Sequence, residues 1–323
     1  GFHFSLCRSK SFERRSMTSW PWMKGVQVAV ADPIPPVNEH DKRPSVKELI
    51  EKHRSVIDQV KQELGQDPLY DDTKHDDLWI LRFVLSHKKK KKAVIKAAKH
   101  TLQFRREHKL DEEDMRPYPP VGGPDHPRKA ANIRYAACNG DDFCLFCVPD
   151  PQLGVITVLE LGSIDQYKLV ETLPEEDWLP SFLYLSEWCF QWLDYISRTT
   201  GRLTKNTRLA HAGALRFSSI SSENQRRDGK VMAIMEDIYP QLLQGIFVCN
   251  APVWIQIPWR LVRPFFPKRV VEKLDFIAPH KNKHELKRLL PHISIENLPT
   301  RFGGKNETWP VDFPVPPTTT SSS

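Results

Sequence analysis

The chain has 323 residues, of which 40% are hydrophobic and 27% charged, a composition that builds a globular core without disulfide staples. Six cysteines are too few for a disulfide framework in a chain of this length and indicate a reducing compartment. No uncharged apolar run reaches the ~18 residues of a membrane-spanning helix, so we expect any membrane contact to be peripheral.

The N-terminal part predicts a basic arm, a linker and then a helical unit. Residues 1–24 carry five basic residues against one acidic residue, which favours a disordered arm, with an organelle transit peptide as the alternative. Prolines follow, so we assign residues 1–43 to arm and linker. Apolar residues at helical spacing predict a helix from Ser45 to Gly65, a second after Asp71, and a third over 92–108. We expect a helical unit over 44–115.

Beyond a proline-rich loop over 109–127, short β-rich runs alternate with longer stretches. The long stretches leave room for helical crossovers, which favours an α/β fold with a mostly parallel sheet. Six large residues from Trp178 to Ile196 draw one helical stripe that we expect in the core. Residues 306–323 predict a disordered tail. The predicted strands are Val155–Leu161, Leu209–Phe217, Ile246–Cys249 and Leu274–Ile277.

The segment after Tyr239 carries the strongest functional pattern. Large apolar residues from Trp254 to Phe266 cover most of the circumference of a helix, and basic residues interrupt them. Aromatic residues beside cations suit an interfacial membrane element, although a core helix with a solvated basic edge explains the pattern equally well. Between 252 and 305, eleven basic and four acidic residues account for the whole net charge of +7. This region suits an anionic membrane or a nucleic acid.

The chemical motifs are few. Cys144 and Cys147 form an isolated C-x-x-C without a second pair, and no histidine spacing suits a metal. Glycine-rich phosphate loops and the G-x-S-x-G elbow are absent from the sequence. We therefore expect no catalytic residue, no metal, no cofactor and no enzymatic activity. Signatures of nucleic-acid-binding folds are also missing, so we expect no nucleic-acid partner.

Five groups of residues, in register, resemble the CRAL-TRIO family of lipid-transfer proteins. They extend over most of the chain, from about residue 78 to 304. The five are Leu81–Leu85, Leu102–Arg105, Val158–Gly162, the run of Tyr239–Pro240 with Asn250–Pro252 and Arg263–Phe265, and Glu296–Pro299 with Phe302–Gly304.

This resemblance implies a lipid-binding domain over 128–305. The family's fold is an α/β cup with a mostly parallel β-sheet, flanked by helices, as its floor. A mobile gate helix closes the apolar lipid cavity, and in this sequence the gate corresponds to Trp254–Phe266. The implied function is to bind one lipid and to transfer it between membranes or present it there. A lipid-gated regulatory or scaffold protein without transfer activity is the alternative. We expect a monomer in the cytoplasm that associates peripherally with an anionic membrane surface.

At most of the family's inositol-phosphate contacts this sequence departs from the pattern. They correspond to His87 with the adjacent Lys88, to Gln241, to Val270 and to Lys273, and only Lys273 keeps the family's residue. The cargo is therefore expected to be a phospholipid or another hydrophobic small molecule, without assignment to phosphatidylinositol.

The remaining candidate residues come from the same resemblance. Tyr239 joins the headgroup candidates. The family's choline-site positions fall at His211 and Gly213, so phosphatidylcholine is not assigned either. The expected residues of the pocket and the gate are Trp254, Ile257, Leu261, Val262, Phe265, Phe266, Val270, Phe217 and His211.

Overall fold

The computed structural model describes residues 30–88, 90–120, 124–139, 145–150, 152–278 and 282–307. The predicted basic arm, the C-terminal tail beyond residue 307 and Cys144 of the C-x-x-C lie outside these residues.

The N-terminal unit contains the three predicted helices. The Ser45 hydroxyl accepts a hydrogen bond from the Glu48 backbone N–H and caps the first helix, which ends at Gly65 as predicted. Asp76 caps the second in the same way through the Trp79 N–H. The helices are α1 Val46–Leu64, α2 Asp77–Ser86 and α3 Lys91–Glu107.

The rest of the described chain contains seven further α-helices. The longest ends at Gly201, whose φ of 65° is left-handed and whose Cβ position would lie 2.5 Å from the Ala31 carbonyl oxygen, so only glycine fits. In the predicted stripe of this helix, Trp178, Cys189 and Ile196 are buried in the protein. The helices are α4 Ala130–Asn139, α5 Gln166–Thr172, α6 Glu175–Thr200, α7 Ser222–Ile238, α8 Gln256–Val262, α9 Lys268–Val271 and α10 Lys283–Leu286.

Within the described residues, five strands form one sheet in the order β1-β2-β3-β4-β5. Strands β2 to β5 are parallel and β1 pairs antiparallel with β2, so the expected α/β fold with a mostly parallel sheet is confirmed. Sequence patterns missed β1, in which Pro149 is tolerated because this strand is at the edge of the sheet. The strands are β1 Leu145–Asp150, β2 Gly154–Glu160, β3 Asn206–His211, β4 Leu243–Cys249 and β5 Leu274–Ile277.

The prediction of a strand over Leu209–Phe217 is wrong beyond His211. The strand begins earlier and ends at His211, where the Ala212 N–H still bonds to the Cys249 carbonyl. Phe217 lies instead in a short 3-10 turn, Phe217–Ser219.

Alternation along the strands gives the sheet two distinct faces. One face packs against the C-terminal segment in a cluster that includes Ile156, Leu209 and Phe302. The other face, which carries Ala210 and Val248, lines a cavity beneath the helices. We call these the closed face and the cavity face.

The C-terminal motif of the resemblance holds the closed face together. The Asp150 carboxylate at the end of β1 accepts hydrogen bonds from the Ser294 N–H and the Asn297 side-chain amide, both at 3.1 Å. A Cβ at Gly304 would lie 1.8 Å from the Leu298 carbonyl oxygen, so this glycine permits a close approach of two backbone segments. The motif residues have a structural role here.

Buried ion pairs join the helical unit to α6. Arg105 of α3 forms two 3.1 Å hydrogen bonds with Glu187, whose carboxylate also accepts the Tyr239 hydroxyl at 2.7 Å. Arg82 of α2 lies 3.4 Å from Asp194. The predicted helical unit and the sheet-containing region share one hydrophobic cluster, and these arginines orient them.

Candidate functional site

A cavity of about 250 Å³ lies between the cavity face of the sheet and the helices α4, α6 and α7. Its walls are predominantly apolar, as is usual for sites that bind small molecules. Phe182 and Leu185 of α6 are part of the wall, so one end of the predicted core stripe borders the cavity.

The cavity is bordered on one side by the segment Val253–Phe266, which contains the predicted gate and which we call the gate segment. It consists of a 3-10 turn at Val253–Ile255, helix α8 and a second 3-10 turn at Arg263–Phe265. Pro258 lies in the first turn of α8, where the missing N–H of a proline costs little. Three large side chains of this segment line the cavity: Ile255, Trp259 and Phe266.

The outer side of the gate segment is also apolar. Val253, Ile257, Leu261 and Phe265 are spaced four residues apart and are 96%, 62%, 68% and 41% exposed. The large apolar residues of this segment therefore form two sets: an inner set that lines the cavity and an outer row that faces solvent. We call these four residues the outer row.

Side-chain and backbone contacts hold the gate segment in place. The Trp259 ring lies 6.0 Å from the Phe266 ring and 6.3 Å from the Phe276 ring of β5. The backbone of Phe265 packs so closely on α7 that a Cβ added at Gly229 would lie 2.1 Å from its carbonyl oxygen.

The other expected residues of the pocket and the gate fall in three places. Val270 is buried and lines the cavity. Trp254 is half-buried, and its ring meets the Phe217 ring at 5.9 Å, so the exposed Phe217 contacts the gate segment from outside. The side chain of Val262 lies outside the described residues.

His211 lies outside the residues that line the cavity. Arg208 and Ala210 of β3 lie on the cavity face, so His211 lies on the closed face by strand alternation. Its Nδ1 lies 2.6 Å from Glu160, and its ring packs edge-on against Phe302. Burial lowers the pKa of His211.

The expected headgroup residues lie around the ends of α2 and α7. Gln241, at a left-handed φ of 62°, donates a 3.0 Å hydrogen bond to the Ser86 hydroxyl, next to His87 and the exposed Lys88. Lys273 forms an ion pair of 3.3 Å with Glu236 of α7.

Tyr239 is 1% exposed, and its hydroxyl donates to Glu187. It borders a small cavity of about 30 Å³ that also reaches Glu236 and shares lining residues such as Phe182 and Val270 with the main cavity. The small cavity thus adjoins the main cavity on the side of Glu236, the partner of Lys273.

A family profile described as the CRAL/TRIO domain matches residues 143–304, which is half of the chain. The chain belongs to the CRAL/TRIO family. The profile covers the sheet from just before β1, the gate segment and the C-terminal motif on the closed face.

Several proteins resemble this CRAL/TRIO chain. SEC14 cytosolic factor of Candida glabrata is 29% identical over 151 residues, which are 46% of this chain and 48% of that protein. SEC14 cytosolic factor of Kluyveromyces lactis is 27% identical over 155 residues, 47% of this chain and 50% of that protein. Patellin-5 of Arabidopsis thaliana is 29% identical over 75 residues, 23% of this chain and 11% of that protein. This chain thus spans about half the length of the SEC14 relatives it matches.

A solved structure titled "Crystal structure of Sfh5" superposes with a TM-score of 0.49 and 14% sequence identity, over 77% of this chain and 83% of that one.

Within the described residues, no helix is both long and apolar enough to cross a bilayer. The same residues contain no group of three or more His, Cys, Asp or Glu arranged to hold a metal ion.

Sequence reasoning missed a partly buried cation in this CRAL/TRIO domain. Burial, together with the neighbouring charges of Lys273 and Arg82, lowers the pKa of Lys205 to about 8. No carboxylate of the described residues lies within ion-pair distance of Lys205. Lys205 precedes β3 in a segment without a motif, so only the fold brings it near Lys273.

Sequence reasoning also missed a polar patch in the cavity wall. Asp228 of α7 accepts hydrogen bonds of 3.0 Å from the Trp178 indole N–H and from the Asn224 side-chain amide. Burial raises the pKa of the Asp228 carboxyl to about 6. Asn224, Asp228 and Asn132 of α4 all line the cavity.

Proposed function

We propose that this protein binds one lipid in the cavity and transfers it between membranes, or presents it there, without catalysing a reaction. The observation that carries the proposal is the gate segment, which is apolar on both sides. Its inner residues line a largely apolar cavity and its outer row is exposed.

The cavity supplies the free energy of cargo binding. An alkyl chain gains about 0.8 kcal/mol for each CH₂ that leaves water, so a cavity walled by apolar side chains can replace the bilayer during transit. Its volume of about 250 Å³ lies just below the range of about 300–1,000 Å³ typical of small-molecule pockets. A two-chain phospholipid therefore requires outward movement of the gate segment, which couples loading to gate opening.

The outer row supplies membrane contact. At a membrane, its side chains exchange water for the boundary between headgroups and acyl chains. Exposed basic residues flank the row at Arg260, Arg263, Lys268 and Arg269. Each contributes about 1 kcal/mol near an anionic surface. When the gate segment opens at a membrane, lipid takes the place of its packing against the protein, so opening costs less there than in solution.

The cations near the end of α7 favour an anionic headgroup. Lys273 already forms an ion pair with Glu236. The neighbouring Lys205 is partly buried, which disfavours its charged form. A phosphate placed near both lysines would stabilise their charged forms, because an opposite charge within ~4–6 Å favours ionisation. We therefore infer a lipid phosphate as the anionic group.

A size series at Ala210, which lines the cavity, tests the proposal. Transfer of fluorescent phosphatidylinositol and phosphatidylcholine between donor and acceptor vesicles would be measured for wild type, Ala210→Val and Ala210→Phe. We expect the wild type to accelerate transfer of at least one lipid, Ala210→Val to retain part of this activity and Ala210→Phe to lose it, because the larger side chains fill the cavity.

Binding of each variant to vesicles and its melting temperature serve as controls for gate function and folding. Wild-type transfer by a folded Ala210→Phe variant would contradict the proposal that cargo occupies the cavity. If the wild type binds a lipid but does not accelerate its transfer between vesicles, a regulatory or scaffold role would be favoured.

A further inference from the structure

The cavity contains a cluster of hydrogen-bond acceptors that its apolar character does not explain. The side-chain oxygens of Asn132 and Asn224 are buried without a hydrogen-bond partner among the described residues, and both side chains line the cavity. The two residues are 4% and 2% exposed. A buried polar atom left unpaired is costly, so such atoms in a ligand cavity indicate a ligand that pairs with them.

The hydrogen bonds around Asp228 fix the polarity of this cluster. The Asn224 amide nitrogen donates to one carboxylate oxygen of Asp228, so its own side-chain oxygen must be an acceptor. The Trp178 indole donates to the other carboxylate oxygen, and an ionised carboxylate can accept further bonds. The α7 part of the cluster therefore offers acceptors to the cavity, and the Asn132 oxygen adds another from α4.

The cluster is separate from the headgroup region. Asp228 and Glu236, the partner of Lys273, are eight residues apart on α7, which corresponds to about 12 Å along the helix axis. Trp178 and Asn224 donate to Asp228, and Asn132 and Tyr135 face the same cavity from α4. The Arg227 guanidinium, which is paired with Glu223, lies 4.9 Å from the centre of the Trp178 ring.

We propose, building on the proposed lipid-binding function, that Asn132, Asn224 and Asp228 form an interior site that selects lipids carrying a hydroxyl group by accepting its hydrogen bond. A neutral hydroxyl suits the site better than an ammonium group, because a charge placed in an apolar cavity carries a much larger desolvation cost. A lipid without a donor leaves the two asparagine oxygens unpaired.

A matched pair of probes tests this site. Partition of 1-hexadecanol and of its methyl ether from phosphatidylcholine vesicles into the protein would be measured, since the ether has the same chain but no donor. A hydroxyl donates one hydrogen bond. One bond of about 1 kcal/mol predicts that wild type prefers the alcohol about fivefold. The Asn132 side-chain oxygen has no hydrogen-bond partner among the described residues, so the variant Asn132→Leu breaks no bond to that oxygen. It should lower the preference for the alcohol and still bind the ether.

The two proposals fail in different ways. If wild type binds both probes equally, or if Asn132→Leu and Asn224→Leu both keep the wild-type preference, the interior site is refuted while the lipid cavity stands. If wild type binds neither probe nor any phospholipid, the proposed function itself fails. Binding of the ether by each variant also shows that its cavity is folded.

Discussion

The outer row makes membrane binding the most quantitative prediction. We consider the double variant Ile257→Ala and Leu261→Ala, in which two side chains lose most of their apolar surface. Full burial of Ile or Leu is worth about 1.5–3 kcal/mol. The two residues are 62% and 68% exposed, so their transfer into the membrane boundary is worth about two-thirds of that value each. Alanine keeps roughly a third of the gain, which leaves a loss of about 1.3–2.7 kcal/mol, or about 10-fold to 100-fold in partition coefficient.

Flotation with vesicles of phosphatidylcholine and phosphatidylserine measures this partition coefficient. The variant should stay folded with a nearly unchanged melting temperature, because substitutions at exposed positions usually change stability little. Ile133 of α4, which is 49% exposed, provides the matched control Ile133→Ala. Wild-type partitioning of the double variant, or an equal loss in the control, would refute the assignment of the outer row as the membrane-contact surface.

Three further predictions follow from the contacts around the gate segment and α7. Gly229→Ala places a methyl group 2.1 Å from the Phe265 carbonyl oxygen, so it should displace the gate segment and speed lipid release. Gly245→Ala places its methyl group 3.5 Å from the nearest atom and should leave the release rate unchanged. Equal release rates for the two variants, measured by stopped-flow fluorescence of a labelled lipid, would contradict this prediction. The pKa of Asp228 is raised from 3.8 to about 6, so wild-type stability relative to Asp228→Asn should fall by about 3 kcal/mol as pH rises from about 3 to about 7, as followed by urea unfolding. A stability difference that does not change with pH would show that Asp228 titrates normally. Burial lowers the pKa of Lys205 to about 8, so its charge at pH 7 costs stability and Lys205→Met should raise the melting temperature. The same variant should weaken capture of phosphatidylinositol. A variant that melts at a lower temperature and captures the lipid normally would show that Lys205 does not contact the headgroup.

Much of the fold could be predicted because its signals are local. The Ser45 and Gly65 boundaries of α1 depend on capping, which adjacent residues specify. The parallel strands followed from apolar runs separated by crossovers. The edge strand β1 gave no such signal, since a short strand containing Pro149 does not look like a buried one.

The cavity depends on long-range arrangement and could be predicted only in outline. The sequence showed that the segment from Trp254 to Phe266 is apolar all round, but the split between inner Trp259 and outer Leu261 depends on how the segment lies over the sheet. The face of the sheet on which His211 lies is set by the alternation of β3, which a resemblance of motifs does not report.

The polar groups in and near the cavity were missed for the same reason. Asp228 and Trp178 are 50 residues apart and meet only through the packing of α7 on α6. Lys205 likewise has no motif of its own, and its low pKa arises from burial near Lys273 and Arg82. The arginines of the LRFV and LQFR motifs were recognised by resemblance, but their role in joining the helical unit to α6 is visible only in the fold.

Native mass spectrometry of the full chain, after incubation with vesicles made from a natural lipid extract, tests the central claim most directly. We expect one added mass per chain that corresponds to a single lipid, and we expect Ala210→Phe to lose it while remaining folded. A wild type that emerges without bound lipid, or a folded Ala210→Phe variant that carries the same lipid, would contradict the claim that the cavity beneath the gate segment holds the cargo.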